Sequence, residues 1–436
     1  MSFFHNMVSR LKKNDFLKSV IILMSGSTVA QFLPVLISPV FTRVFTPEQI
    51  GIYGVYVAAV NIITQFVCLK YDVAIVISEE KEEAGGLFWL CLSVTGVLSV
   101  LLLLTYPFAR PISALLGSKD SFFWVYYIPV STLLIGLNTA LNYYNVRLKA
   151  FTAISTANIT KTVVQSIVQV ALGFLGFGIH GLIIGQIASF LAGNMRLIKN
   201  VLKAISFSSF NKKNIFRLLV KHRQYPAYIL TGSLSNSLTY NLIPFFMSSF
   251  YSPSQCGYYT MINRVLGSPI NLIGSAVGQV FLKQASDEKN GKQLLSPIFN
   301  KISKILLLMS VPIFAVLFIF GRPLFTVVLG KEYGDTIPYL RALIPMFLVR
   351  FVVSPVQSSA VVMGKQRTMM IWQIGLLVIS VIPAVVSSLW KMDIVYYLLI
   401  LSLALAAAYL IFYYYCRRII SEEDKRKLES SKEDLP

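Results

Sequence analysis

Twelve stretches of about twenty residues carry apolar side chains almost without interruption, the length a helix needs to cross the hydrocarbon core of a bilayer. They run roughly over 18–42, 48–68, 86–109, 121–143, 153–174, 178–198, 226–250, 256–281, 303–325, 336–363, 369–389 and 394–416. Within some of them polar residues recur with helical period. Gly257, Thr260, Arg264, Ser268, Asn271 and Ser275 fall on one face of the eighth stretch at three- and four-residue spacing. Arg350, Ser354, Gln357 and Ser358 share a face of the tenth, and Asn158, Lys161 and Gln165 a face of the fifth. Such a stripe is expected to line a cavity or a helix contact rather than to meet lipid. Gln31, with Ser27 and Ser38, and Asn236, Tyr240 and Asn241 mark similar faces in the first and seventh stretches, which Pro34, Pro39 and Pro244 interrupt. Bending explains these prolines, because a kink frees backbone groups that protein or cavity water must satisfy; contact of the amides with a sugar is the alternative.

The pattern then repeats. Phe45 to Tyr53 reads FTPEQIGIY and Tyr251 to Tyr259 reads YSPSQCGYY, with Pro, Gln, Gly and Tyr at matching places. ARPISALLG (Ala109 to Gly117) is echoed by GRPLFTVVLG (Gly321 to Gly330) after the third span of each half. The expectation is an all-α polytopic membrane protein: twelve transmembrane helices in two six-helix lobes, residues 1–206 and 207–420, built as a parallel internal repeat around a central cavity, with the site at the lobe interface. Residues 421–436 form a charged, apolar-poor tail expected to be disordered. Locally the repeated motif is helix punctuation: Thr46 and Ser252 cap, Pro47 and Pro253 fill the first turn, and Gln49 and Gln255 complete a capping box.

Composition agrees with a membrane protein, since 55% of residues are hydrophobic and the mean hydropathy is +0.67. A net charge of +20 raises the question of nucleic acid, and its distribution answers it. With the N-terminus inside, only six of the 39 Lys and Arg (Arg43, Arg110, Lys119, Arg322, Lys331 and Lys391) fall in outside loops and four in the spans; all others are inside. That is the positive-inside asymmetry, so both termini are expected in the cytoplasm and no nucleic acid is implied. The first span reads as an uncleaved anchor, having no short apolar core with a small-residue cleavage site. The segment Ile215 to His222, with Leu218 and Leu219 opposite Lys and Arg, reads as a helix lying on the inner leaflet.

The candidate chemistry lies in the charges within the spans. Lys161, Arg264, Arg341 and Arg350 sit in apolar stretches, whereas all 19 Asp and Glu fall in loops, helix ends or tails, Asp72 lying at the inner end of the second span. A charge near the bilayer centre costs at least about 2.5 kcal/mol, so its default reading is a functional site on a polar cavity. Cations without carboxylates point to an anionic cargo, and guanidinium suits phosphate because it binds two oxygens at once and stays charged. Bonds between helices, to carbonyls or amides, are the alternative for Arg264, Arg350 and Lys161. Arg341 lies nine residues from Arg350, about 180° around an ideal helix, and its place near the outer end lets its stem snorkel to the interface. The candidate cargo-binding residues are thus Arg264, Arg350, Lys161, Arg341, Gln31 and Asn241. No catalytic residue, metal or cofactor is implied. His5, His180 and His222 are scattered, Cys68, Cys91, Cys256 and Cys416 have no paired spacing, and GxxxxGK[ST] is absent.

The twelve spans in two repeats, the TPEQIGIYG entry to the second span and the KYDVAIVISEE stretch from Lys70 to Glu80 resemble the polysaccharide transport family, whose best-known members are O-antigen flippases of the Wzx type in the multidrug/oligosaccharidyl-lipid/polysaccharide exporter superfamily. The resemblance covers essentially the whole chain. It implies a flippase for lipopolysaccharide or other surface-polysaccharide biosynthesis, moving an undecaprenyl-diphosphate-linked oligosaccharide from the cytoplasmic to the periplasmic leaflet of a bacterial inner membrane. The partners it implies are that glycolipid, the lipid bilayer and a polysaccharide polymerase complex. A multidrug exporter of the same superfamily is the alternative, though for cationic drugs it calls for a buried Asp or Glu. So is a lipid II-type flippase, whose relatives usually carry fourteen spans.

Overall fold

The computed structural model describes residues 15–118, 121–205, 212–271 and 294–433, together with 273, 274, 277, 278 and 281. The described residues contain helices and turns and no strand. The chain divides into two compact units, one of residues 1–237 and 247–257, the other of 238–246 and 258–436.

The first unit contains α1 (Asp15–Val44), α2 (Pro47–Ile63), α3 (Tyr71–Ile77), α4 (Lys81–Leu103), α5 (Ala109–Leu115), α6 (Ile128–Arg147), α7 (Phe151–Phe174), α8 (Gly178–Ala204) and α9 (Lys212–Lys221). α7 packs on α1 and α8, and α6 on α4 and α8. The core is built from Tyr71, Leu87, Cys91, Leu141, Tyr144 and Leu197. α2 starts with the predicted capping box: Thr46 Oγ1 accepts from Gln49 N at 3.3 Å, and Gln49 Oε1 accepts from Thr46 N at 3.2 Å. At the repeated site Ser252 Oγ accepts from Gln255 N at 3.2 Å and donates to Gln255 Oε1 at 3.2 Å, so α11 (Pro253–Ile262) shares the side-chain cap, its glutamine oxygen meeting the serine hydroxyl.

These two helix starts also touch each other. A Cβ on Gly51 would stand 1.8 Å from the Pro253 carbonyl oxygen, and one on Gly257 would stand 1.8 Å from that of Pro47. The glycines of the two motifs each accept the other's proline turn, a packing role beyond the capping that the pattern alone suggests.

The second unit holds α12 (Ser296–Leu329), α13 (Ile337–Val356), α14 (Ser359–Val362), α15 (Gln366–Trp390) and α16 (Ile394–Glu433), and part of α10 (Thr231–Phe250). α16 packs on α13 and α15, and α12 on α13. Its core joins Phe281, Phe299, Val356, Phe412, Cys416 and Ile420, with Trp372 stacked on Phe412 at 4.1 Å. The second echoed motif ends a helix in both halves, at Gly117 (φ 76°) and Gly330 (φ 105°), where the left-handed backbone suits glycine. α12 runs unbroken through Pro312 and Pro323, whereas its counterpart stops at Leu103 before the Tyr106–Phe108 turn.

Each predicted span carries helix among the described residues. Among the described residues seven helices are long and apolar enough to cross a membrane, or eight if α2 and α3 form one bent span, so twelve full-length spans are not counted. Large apolar side chains face outward all the same: Leu36 is 71% exposed, Phe174 73% and Val327 75%. An aqueous surface tolerates no such extent of apolar patch, and lipid does.

Three features of the structure stand beside those expectations. First, the helical path does not end near Cys68. It bends by 43° and continues over Val67–Ile77, whose Asp72 is buried within the fold. The turn puts Cys68, Leu69 and Lys70 at φ of 56°, 43° and 63°, a left-handed run that neither Gly nor Pro announces. Second, the tail does not leave the fold at Ser421, since α16 continues to Glu433. Asp424 anchors it, accepting the backbone N–H groups of Leu295 and Ser296 at 2.8 Å each at the start of α12. Third, α9 packs on the first unit. Leu218 is buried in the core of the first unit, Tyr71 donates to the Leu219 carbonyl at 3.1 Å, and Glu83 binds both Lys221 and His222.

Candidate cargo-binding site

The helix α13 lifts Arg350 away from lipid and onto aromatic partners in the second unit. Its guanidinium carbon lies 4.2 Å from the ring centroid of Tyr240, on α10, and its Nη2 donates to Asn271 Oδ1 at 3.0 Å. Tyr240 is fixed in turn by a hydrogen bond to the hydroxyl of Tyr409, a buried residue of α16. Among the described residues no carboxylate pairs with Arg350. A ring face and an amide oxygen orient a guanidinium without neutralising it, so the cation keeps its capacity for an anion. Asn271 and Tyr240 belong to stripes visible in the sequence. Tyr409 does not; it sits in an apolar run 169 residues from its partner, and no spacing marks it.

Lys161 is the centre of a relay across three helices of the first unit. Its Nζ donates to Asn138 Oδ1 on α6 at 3.1 Å, Asn138 Nδ2 donates to Asn194 Oδ1 on α8 at 2.8 Å, and Asn194 Nδ2 donates to the Leu134 carbonyl at 3.0 Å. The ammonium also stands 5.3 Å from the Phe190 ring centre. Gly193 makes room for it, since a Cβ there would meet the lysine Cγ at 2.4 Å. Lys161 is half-buried, and an ammonium that rests on the Asn138 oxygen still has N–H groups to offer a cargo. Beside the relay Tyr53, from the repeated motif, donates to Gln186 Oε1 at 2.8 Å and accepts from Gln165 and Gln169 at 3.2 Å each.

The remaining candidates are dispersed. Arg264 is half-buried on a π-helical turn, Asn263–Gly267. That turn breaks the three- and four-residue periodicity on which its stripe rests, and Ser275 of that stripe lies outside the described residues. π turns inside α-helices are frequent at functional sites. Arg341 is exposed, with Nε donating to the Phe318 carbonyl at 3.1 Å and its guanidinium 5.1 Å from the Phe318 ring centre, so the structure does not bring it to the Arg350 cluster. Gln31 is half-buried on α1 and Asn241 half-buried on α10. Among the described residues no group of three His, Cys, Asp or Glu side chains is placed to hold a metal.

Helical units with apolar exteriors and half-buried cations describe a multi-pass membrane protein, and its fold is shared with solved transporters of the multidrug/oligosaccharidyl-lipid/polysaccharide superfamily. A solved lipid II flippase, MurJ in its inward closed conformation, superposes with a TM-score of 0.70 at 15% identity, covering 94% of this chain and 91% of that one. An inward-facing multidrug resistance MATE transporter of the superfamily gives 0.68 at 16% identity, covering 93% and 99%. A superfamily transporter from Pyrococcus furiosus, described as having a binding pocket of reversed polarity, gives 0.67 at 17% identity over 93% and 96%. Residues 40–338 match the family described as polysaccharide biosynthesis protein, and the chain belongs to that family. It is similar to the succinoglycan biosynthesis transport protein ExoT of Rhizobium meliloti, 23% identical over 309 residues, which are 69% of this chain and 60% of that protein's length.

Proposed function

We propose that the chain is a flippase carrying an undecaprenyl-diphosphate-linked oligosaccharide from the cytoplasmic to the periplasmic leaflet of a bacterial inner membrane by alternating access, with both termini in the cytoplasm. Family membership and the superfamily fold support transport of a polysaccharide precursor over catalysis. The observation that carries the anionic cargo is Arg350, held by a tyrosine ring and an amide oxygen with no carboxylate paired to it among the described residues. Arg350 and Arg264 are assigned the diphosphate, and Lys161 an acidic group or hydroxyl of the cargo. Gln31 and Asn241 are assigned sugar contacts, and Arg341 the interface with lipid headgroups.

The test is complementation of a strain lacking its own flippase, with surface glycan measured against membrane abundance. Arg350→Ala at normal abundance is expected to abolish surface glycan, with lipid-linked precursor accumulating inside. Full complementation by that variant at wild-type abundance overturns the assignment.

A further inference from the structure

Asp72 is a buried charge that cargo binding leaves unused. It is 3% exposed, its Oδ1 has no hydrogen-bond partner among the described residues, and it stands on α3, two residues beyond the left-handed run at Cys68, Leu69 and Lys70. Every packed neighbour contributes a titratable or charged group. The hydroxyl of Tyr143, on α6, reaches the carboxyl group, Cys91 of α4 lies beside it, Cys68 comes from the turn, and Tyr225 packs against the same cluster. Lys70 acts on it and Arg147 meets the far end of the same helix, and neither forms an ion pair with it among the described residues. Arg147 is occupied by the carbonyl oxygens of Ile75, Ser78, Glu79 and Glu80. Lys70 donates to Gln65 Oε1 at 3.3 Å, a bond inside the turn between Ile63 of α2 and Tyr71 of α3.

A carboxylate withdrawn from water with one oxygen open is the costly form, whereas the neutral acid, or a carboxylate with a cation drawn onto it, is not. Lys70, whose charge acts on Asp72, is held by Gln65. We propose that Asp72 is a proton site that couples protonation to the bend between α2 and α3. In the conformation described, the acid is neutral and Lys70 rests on Gln65. When the proton leaves to water, Lys70 turns to the carboxylate, the bond that stiffens the turn opens, and the arm carrying α3 is loosened. The proton is taken from water and returned to water, and no other bond changes. The inference rests on the transport reading above and supplies it with a driving ion, in the way discontinuous membrane helices hold coupling ions elsewhere.

The experiment is hydrogen exchange of the full-length protein in lipid nanodiscs, read on peptides covering residues 64–77 and corrected for intrinsic rates. In the wild type, exchange there is expected to be at least about threefold faster at pH 8 than at pH 6, the signature of a local opening. Asp72→Asn is expected to hold the slow pattern at both, Asp72→Glu to retain the response, and Lys70→Gln to lose it. A wild type indifferent to pH overturns the inference, as does an Asp72→Asn variant that follows the wild type. Arg350→Ala separates this from the cargo reading, because it should block export while leaving the exchange response of 64–77 intact. Loss of export in that variant with no pH response in the wild type discards the proton site and keeps the cargo site.

Discussion

At the scale of single residues, the contrast between Arg350 and Arg341 is the most telling. Both are arginines on α13, yet one is aimed at Tyr240 and Asn271 and the other at the outer surface of α12. Their nine-residue separation on an ideal helix already places them on opposite faces. A charged donor lost from a phosphate is worth roughly 1.5–3 kcal/mol, so Arg350→Ala should weaken cargo binding by about ten- to a hundred-fold. Arg350→Lys should recover part of it, since the charge stays and the planar fork goes. Arg341→Ala should leave surface glycan near the wild-type level, and binding of fluorescent lipid-linked substrate to purified variants orders the three. Asn138 is the hub of the Lys161 relay, and Asn138→Leu removes the oxygen on which the ammonium rests. That variant is expected to lose roughly 1–3 kcal/mol of stability, read as a lower melting midpoint in detergent, and to lose export with it.

Helices and turns were legible to different degrees, for physical reasons. α4, α12 and α15 declare themselves because lipid selects a continuous apolar surface and the hydropathy pattern records that selection directly. The capped starts at Thr46 and Ser252 are equally plain, since capping chemistry is local. The bend after Ile63 is not, because its left-handed positions fall on Cys, Leu and Lys and are held by tertiary packing such as the buried Cys68 and the Tyr71 bond to Leu219. The helical tail is hidden for the same reason: a charged composition reads as solvated unless one knows that Asp424 is buried against the start of α12. Asp424→Ala should therefore release two backbone donors and cost about 2 kcal/mol or more. Limited proteolysis is expected to cut the variant between Ile420 and Glu433 at conditions the wild type resists; equal resistance would mean the clip contributes nothing.

For the whole molecule, sidedness is the property that proposed transport depends on most, and the four native cysteines, all buried and free of disulfides, make it measurable with little background. Lys391→Cys, exposed beyond α15, should react with an impermeant maleimide in intact cells, while Gln366→Cys, exposed at the other end of that helix, should react only after permeabilisation. The reverse pattern inverts the chain and with it the direction of transport. The paired contact of Gly51 with Pro253 and of Gly257 with Pro47 bears on how such a chain varies over time. A patch that is its own complement saturates itself, which is how identical partners close into a pair instead of growing into a filament. Within one polypeptide the two motifs need not be identical to meet in this way, and Glu48 and Ser254 differ beside glycines that each face the other motif's backbone. Each motif serves as the mould for the other, and a change at either glycine is judged by the backbone of its twin.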